Sequence, residues 1–110
     1  MESIRLAALA EELLAEAREH SSGRTARTVH GGHEHSLRQT VIAIAGGRAL
    51  GEHESPGEAS LQVLDGRVRL IAGEQHWEGV AGDYLIIPPA RHDLEALSDT
   101  VVLLTVVVDR

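Results

Sequence analysis

Between residues 3 and 20, apolar side chains return at three- and four-residue steps: Leu6, Leu9, Leu13 and Ala17, with Ile4, Ala10 and Leu14 beside them. That period gathers them on one face of a helix, with Glu11, Glu12, Glu16, Arg18 and Glu19 mostly on the other. Ser3 is placed to cap its start, and Ser21-Ser22-Gly23 end it. After a polar connection the pattern changes to short β-rich runs at 37–45, 49–55, 60–64, 67–72, 75–80, 84–87, 92–97 and 101–108. Turn residues separate them: Gly46-Gly47, Pro56-Gly57, Asp65-Gly66, Gly73-Glu74, Ala81-Gly82-Asp83 and Pro88-Pro89. Asp65-Gly66 is the strongest hairpin signal of the chain. In 67–72, Arg67 and Arg69 alternate with Val68 and Leu70, which predicts one wet face and one buried face. Residues 101–108 are apolar at nearly every position, so both faces of that strand should be covered. Evenly spaced short strands with Gly-rich turns predict an all-β sandwich or barrel preceded by one helix.

At 110 residues the chain has room for one core, with residues 1–23 as helix and connector and 24–110 as the β domain. Aromatic residues make up only 2%, Trp77 and Tyr84 with no Phe, so Leu, Ile, Val and Ala must fill the core. So small a domain gains from added burial, which points to a homodimer. Ten basic against 17 acidic residues leave a net charge of −7. That excludes a nucleic-acid partner, which calls for a basic stripe and stacking aromatics. No basic amphipathic helix and no long apolar run is present, so no membrane partner is expected. The absence of cysteine removes disulfides, thiolate metal sites and a cysteine nucleophile, and the cytoplasm is the expected location.

The spacing of glycines and histidines carries further information. Gly47 precedes His53 by five intervening residues, and Ser55, Ala59 and Gly66 follow; Gly82 precedes Pro88 by five, and Ala90, His92 and Ala96 follow. This resembles the paired cupin motifs, G-x5-H-x-H-x3,4-E-x6-G and G-x5-P-x-G-x2-H-x3-N, over residues 37 to 108. The resemblance implies a cupin-type jelly-roll barrel with an N-terminal α-helix. It also implies a site inside the barrel where the family holds a divalent metal with three histidines and a glutamate. Only His53 and His92 match those ligands. Ser55 replaces the second His, Ala59 the Glu and Ala90 a Gly, and the second motif is one residue shorter before its His.

Strand alternation places Gly51, His53 and Ser55 on one face, with Glu52 and Glu54 on the other. The expected ligand pocket therefore contains His53, Ser55 and His92 among aliphatic residues, with Arg91 available to an anion or paired with Asp93 or Glu95. It would bind a small polar or anionic molecule without a firmly held metal. The alternative is a metal-dependent oxidoreductase, dioxygenase or isomerase. Its weakly held Zn, Fe, Mn or Ni would rest on His53 and His92, with Glu58 as a third ligand after a register shift, or with His30, His33 or His35 from their loop. A third reading makes the barrel a platform that presents the helix to another protein. Gln62, polar within an apolar run, is expected to need a partner, and Trp77 and Tyr84 are expected to pack. No G-x-S-x-G elbow, phosphate-binding loop or facing carboxylate pair is present.

Overall fold

The computed structural model describes residues 1–55 and 57–108. The apolar stripe forms helix α1 (Leu6–Glu19), which buries Leu9, Ala10, Leu13, Leu14 and Ala17. Ser3 does not cap it. The N-cap position is Arg5, which makes no side-chain cap bond, so the helix gains its stability from its buried face. Eight strands follow: β1 (Arg24–His30), β2 (Leu37–Ile44), β3 (Glu58–Asp65), β4 (Arg67–Ala72), β5 (Gln75–Val80), β6 (Tyr84–Ile86), β7 (Asp93–Ala96) and β8 (Thr100–Val107). They form a five-stranded sheet in the order β1-β2-β8-β3-β6 and a three-stranded sheet in the order β5-β4-β7, with every pairing antiparallel.

The structure departs from the pattern in three places. The polar stretch after α1 is strand β1. Its threonines suit a pleated edge, and Arg27 on its outer face reaches Glu12 and Glu16 of the helix at 3.4 and 3.5 Å. The expected strand at 49–55 is reduced to two isolated bridges, Ala49 with Glu95 and His53 with His92. Between them Gly51 turns to a φ of +98°, which breaks the ladder, and gives its N–H to Asp93 Oδ1 at 2.9 Å. Asp65-Gly66 is not a hairpin, because β3 and β4 lie in different sheets. The chain turns a corner there, whereas the two-residue hairpin falls at Gly73-Glu74, where Ala72 pairs with Gln75. Part of the expected Pro56-Gly57 turn lies outside the described residues.

Strand β8 explains its own composition. Val102, on its inner face, joins Ile44, Leu61, Val63, Val68 and Leu94 between the sheets. Val101, on the opposite face, joins Val41 and Ala43 beneath Leu13 and Ala17 of α1. The helix thus covers its own sheet and gives the central strand a second apolar neighbour. Coverage is incomplete, since Val107 at the strand end remains exposed.

Asp99, in the turn before β8, ties three elements together. Its Oδ1 accepts the Gly46 N–H at 2.8 Å, and its Oδ2 accepts Arg18 Nε at 2.8 Å. The Gly46 N–H, and after it Arg18, hold the carboxyl below the usual carboxylate range. A depressed folded pKa stabilises the protein above the unfolded value of about 3.9 and is lost as pH falls through the lower folded value. Asp99→Ala is therefore expected to cost about 1 kcal/mol near neutrality, because the group is partly exposed. Urea melts of both proteins should converge towards pH 3; a gap that stays undiminished in acid would contradict this role.

Candidate functional site

His53 and His92 meet where the 49–53 segment runs beside the approach to β7. Each backbone N–H donates to the other residue's carbonyl at 2.9 Å, and the rings sit edge to face with centroids 4.5 Å apart. His92 is 3% exposed while His53 lies open to solvent, so the pair forms a wall between the interior and the mouth. Each ring is oriented from behind. His53 Nδ1 lies 2.9 Å from the Gly51 carbonyl, and His92 Nδ1 lies 2.9 Å from the Ala90 carbonyl. A carbonyl can only accept, so both Nδ1 atoms carry the proton and a neutral ring leaves its Nε2 lone pair available. Among the described residues nothing hydrogen-bonds either Nε2.

Behind the pair is a cavity of about 20 Å³ lined by Ile42, Leu50, Leu61, Leu70, Ile87, Leu94 and Leu104. It has room for about one water molecule. The space directly behind the histidines admits nothing larger, so a larger ligand of this pair would meet it from the mouth.

The other expected site residues lie elsewhere. Ser55 Oγ donates to the Gly57 carbonyl at 3.1 Å and does not line the cavity. Arg91 pairs with Glu52 and with Glu54, at 3.0 Å for the second, rather than with Asp93 or Glu95. Its hydrogen bonds to Glu52 and then Glu54 raise its pKa further and neutralise its charge towards an anion. Alternation accounts for the second outcome, since Glu52 and Glu54 face away from His53 and meet Arg91 outside; Ser55 leaves the His53 face because regular pairing does not continue past the bridge at His53. Glu58 is exposed and opposes Val107, one residue out of phase with the inward Ala59. His30, at the end of β1, and His35, in the loop that follows, meet with ring centroids 4.5 Å apart and planes tilted by 45°. Among the described residues no three His, Cys, Asp or Glu side chains converge on a point where a metal could sit. Two imidazoles without a carboxylate fall short of a firmly held zinc or non-haem iron site, so the donor set does not fit the family's metal.

Gln62 is exposed on the outer face beside Tyr84 and needs no internal partner. Tyr84 is itself 60% exposed and does not pack as expected, while Trp77 does lie against the core. A second hollow, of about 230 Å³, opens at the β6 edge of the larger sheet, lined by Trp77 and Leu70 of the smaller sheet and by Leu85, Ile86 and Pro88. Its sequence signal was the Trp77-x-Gly79 alternation: a Cβ at Gly79 would stand 2.2 Å from the indole.

The comparisons with known proteins agree with the fold. A search of curated proteins gives no match. Among solved structures, a conserved protein of unknown function from Streptococcus pyogenes is 25% identical. It superposes with a TM-score of 0.72 over 83% of this chain and 79% of its own. A cupin superfamily protein from Desulfitobacterium hafniense is 17% identical, with a TM-score of 0.71 and 78% of each chain covered. A DMSP lyase from Ruegeria pomeroyi is 18% identical, with a TM-score of 0.68 over 78% of this chain and 47% of the lyase. At the last two identities the likeness shows the fold alone. The sequence profile described as cupin domain matches residues 40–108, more than half of the chain. This chain belongs to the cupin domain family.

Proposed function

We propose that this cupin domain binds a small polar or anionic molecule at the barrel mouth, against the Nε2 edges of His53 and His92, without a resident metal. One observation carries the reading: two imidazoles are locked in one tautomer by backbone carbonyls, and their acceptor atoms are left unpartnered. His92 is 3% exposed, so an Nε2 without a protein partner there is an acceptor held ready at the edge of the interior. The proposal is tested by titrating the ¹⁵N-labelled protein with propane-1,2-diol, lactate and lactamide while following both imidazoles. At least one probe should shift both rings, and His53→Ala or His92→Ala should weaken it about tenfold, as expected for loss of a hydrogen bond to ligand. Unmoved rings with all three probes would overturn the reading. Protein purified without chelators should carry well under one divalent metal per chain, and a full equivalent would favour the metal-dependent enzyme.

The same chain is proposed to form a homodimer through the outer face of the larger sheet. Past the edge of α1, that face leaves Ile86 62% and Tyr84 60% exposed, with Leu37 and Val107 nearby. Apolar side chains clustered on a sheet face favour association. Sedimentation should give twice the chain mass, and Ile86→Arg should halve it; a wild-type monomer at tens of micromolar would end the proposal.

A further inference from the structure

Arg38 belongs to no motif, yet the strand register sets it on the inner face of the larger sheet, towards the end where the histidines lie. The inner face of the larger sheet is layered in rows across β2, β8 and β3. Ile42, Val102 and Val63 form one row, Thr40, Leu104 and Leu61 the next, and Arg38, Val106 and Ala59 the third. Ile42, Leu61 and Leu104 from the first two rows line the cavity behind the histidines. The third row continues away from the Gly46-Gly47 end of the barrel. The 49–53 segment runs the same way, from its bridge at Ala49 to its bridge at His53. Arg38 and the histidine pair therefore lie at one end of the barrel.

On the inner face of this end the charge is the reverse of what a metal would require, the carboxylates of Glu52, Glu54 and Glu58 lying outside. Ala59 stands where the cupin motif carries its glutamate, and the same row carries a guanidinium two strands away. The Nε of Arg38 is buried and meets no acceptor. Arg24 is engaged by the Ala49 carbonyl, Arg67 and Arg69 by Glu78, and Arg91 by Glu52 and Glu54. Arg38 has no such partner among the described residues. The Nε of Arg69 is buried in the same way, but the terminal nitrogens of Arg69 meet Glu78, whereas those of the half-buried Arg38 meet no carboxylate among the described residues and stay open to an anion, and a nearby cation repels a divalent metal.

We propose that Arg38 makes the barrel mouth a site for a small hydroxycarboxylate, an inference that rests on the histidine reading above. The guanidinium fork matches a carboxylate in two parallel hydrogen bonds. The ligand's hydroxyl then donates to an Nε2 of His53 or His92, which a bare carboxylate could not do.

The test uses the full chain and three probes: lactate, propionate, which lacks the hydroxyl, and lactamide, which lacks the charge. Calorimetry should show lactate bound about tenfold or more tighter than either. Arg38→Met should weaken lactate to the level of lactamide and leave lactamide unchanged, and Arg38→Lys should retain part of the preference. Thermal melts establish that each variant folds. Lactamide binding as tightly as lactate to the wild type, or lactate affinity unchanged in Arg38→Met, overturns the role of Arg38 while the histidine pocket stands. If Arg38→Met does not fold, the wild-type comparison and Arg38→Lys still decide. Silence of both imidazoles with all three probes overturns the pocket itself, and Arg38 with it.

Discussion

Gly66→Ala is expected to destabilise the protein by roughly 2–5 kcal/mol, combining a left-handed backbone penalty with overpacking. Gly66 sits at the corner between the two sheets with a φ of +85°. A Cβ there would stand 2.2 Å from the Asp99 carbonyl oxygen and 2.8 Å from the Thr100 Cα. Both obstacles are backbone atoms, so no rotamer change relieves the contact. The corner is also held by the fully buried Thr100, whose hydroxyl accepts from the Arg67 N–H at 3.2 Å and lies 3.0 Å from the Arg67 carbonyl. Moving β4 to make room would therefore break those bonds. Gly73→Ala supplies the control. Gly73 also has a positive φ, +61°, but a Cβ there meets nothing within 4 Å. That variant should cost only the backbone penalty, roughly 1–2 kcal/mol. Denaturant melts of the pair should differ by at least about 1–3 kcal/mol, the share assigned to the clash. Equal losses would mean that the corner is looser than these distances require.

Leu13→Ala is expected to cost roughly 2–5 kcal/mol, the range for emptying a fully buried leucine site. Leu13 is the centre of the helix stripe and packs with Ala17 over Val41, Ala43 and Val101. Removing it leaves a void at the junction of α1 with the two central strands of the larger sheet. Leu6→Ala, at the partly buried start of the helix, should cost clearly less. This contrast also addresses the reading in which the barrel merely presents α1 to another protein. A helix held for a partner would tolerate Leu13→Ala in the free chain, and an unchanged urea midpoint would support that reading against integral packing.

Much of the architecture was legible in the residues because it rests on local periods. The 3.6-residue stripe from Leu6 to Ala17 marks α1, and the alternation of Arg67, Val68, Arg69 and Leu70 marks β4. Each needs only its own neighbours to be read. Strand β1 was not legible: Arg24–His30 has little apolar content and pairs because β2 offers it an edge. Asp65-Gly66 misled for a related reason. A left-handed glycine is needed at a hairpin and at a sheet-to-sheet corner alike, and only the partners of β3 and β4 tell the two apart.

At the site, the motif spacing paired His53 with His92, and the structure brings them to 4.5 Å. Spacing could not foresee that Arg91 would turn outward to Glu52 and Glu54, or that Arg38, fifteen residues before His53, would share the inner face with Ala59. What the chain determined by itself was its periods, its turn positions and the loss of a complete ligand set. Which strands pair, which charges are neutralised and which guanidinium is left unmatched were decided by tertiary structure. Those properties depend on distances between residues far apart in sequence, and the register that sets such distances is chosen by burial of the whole sheet.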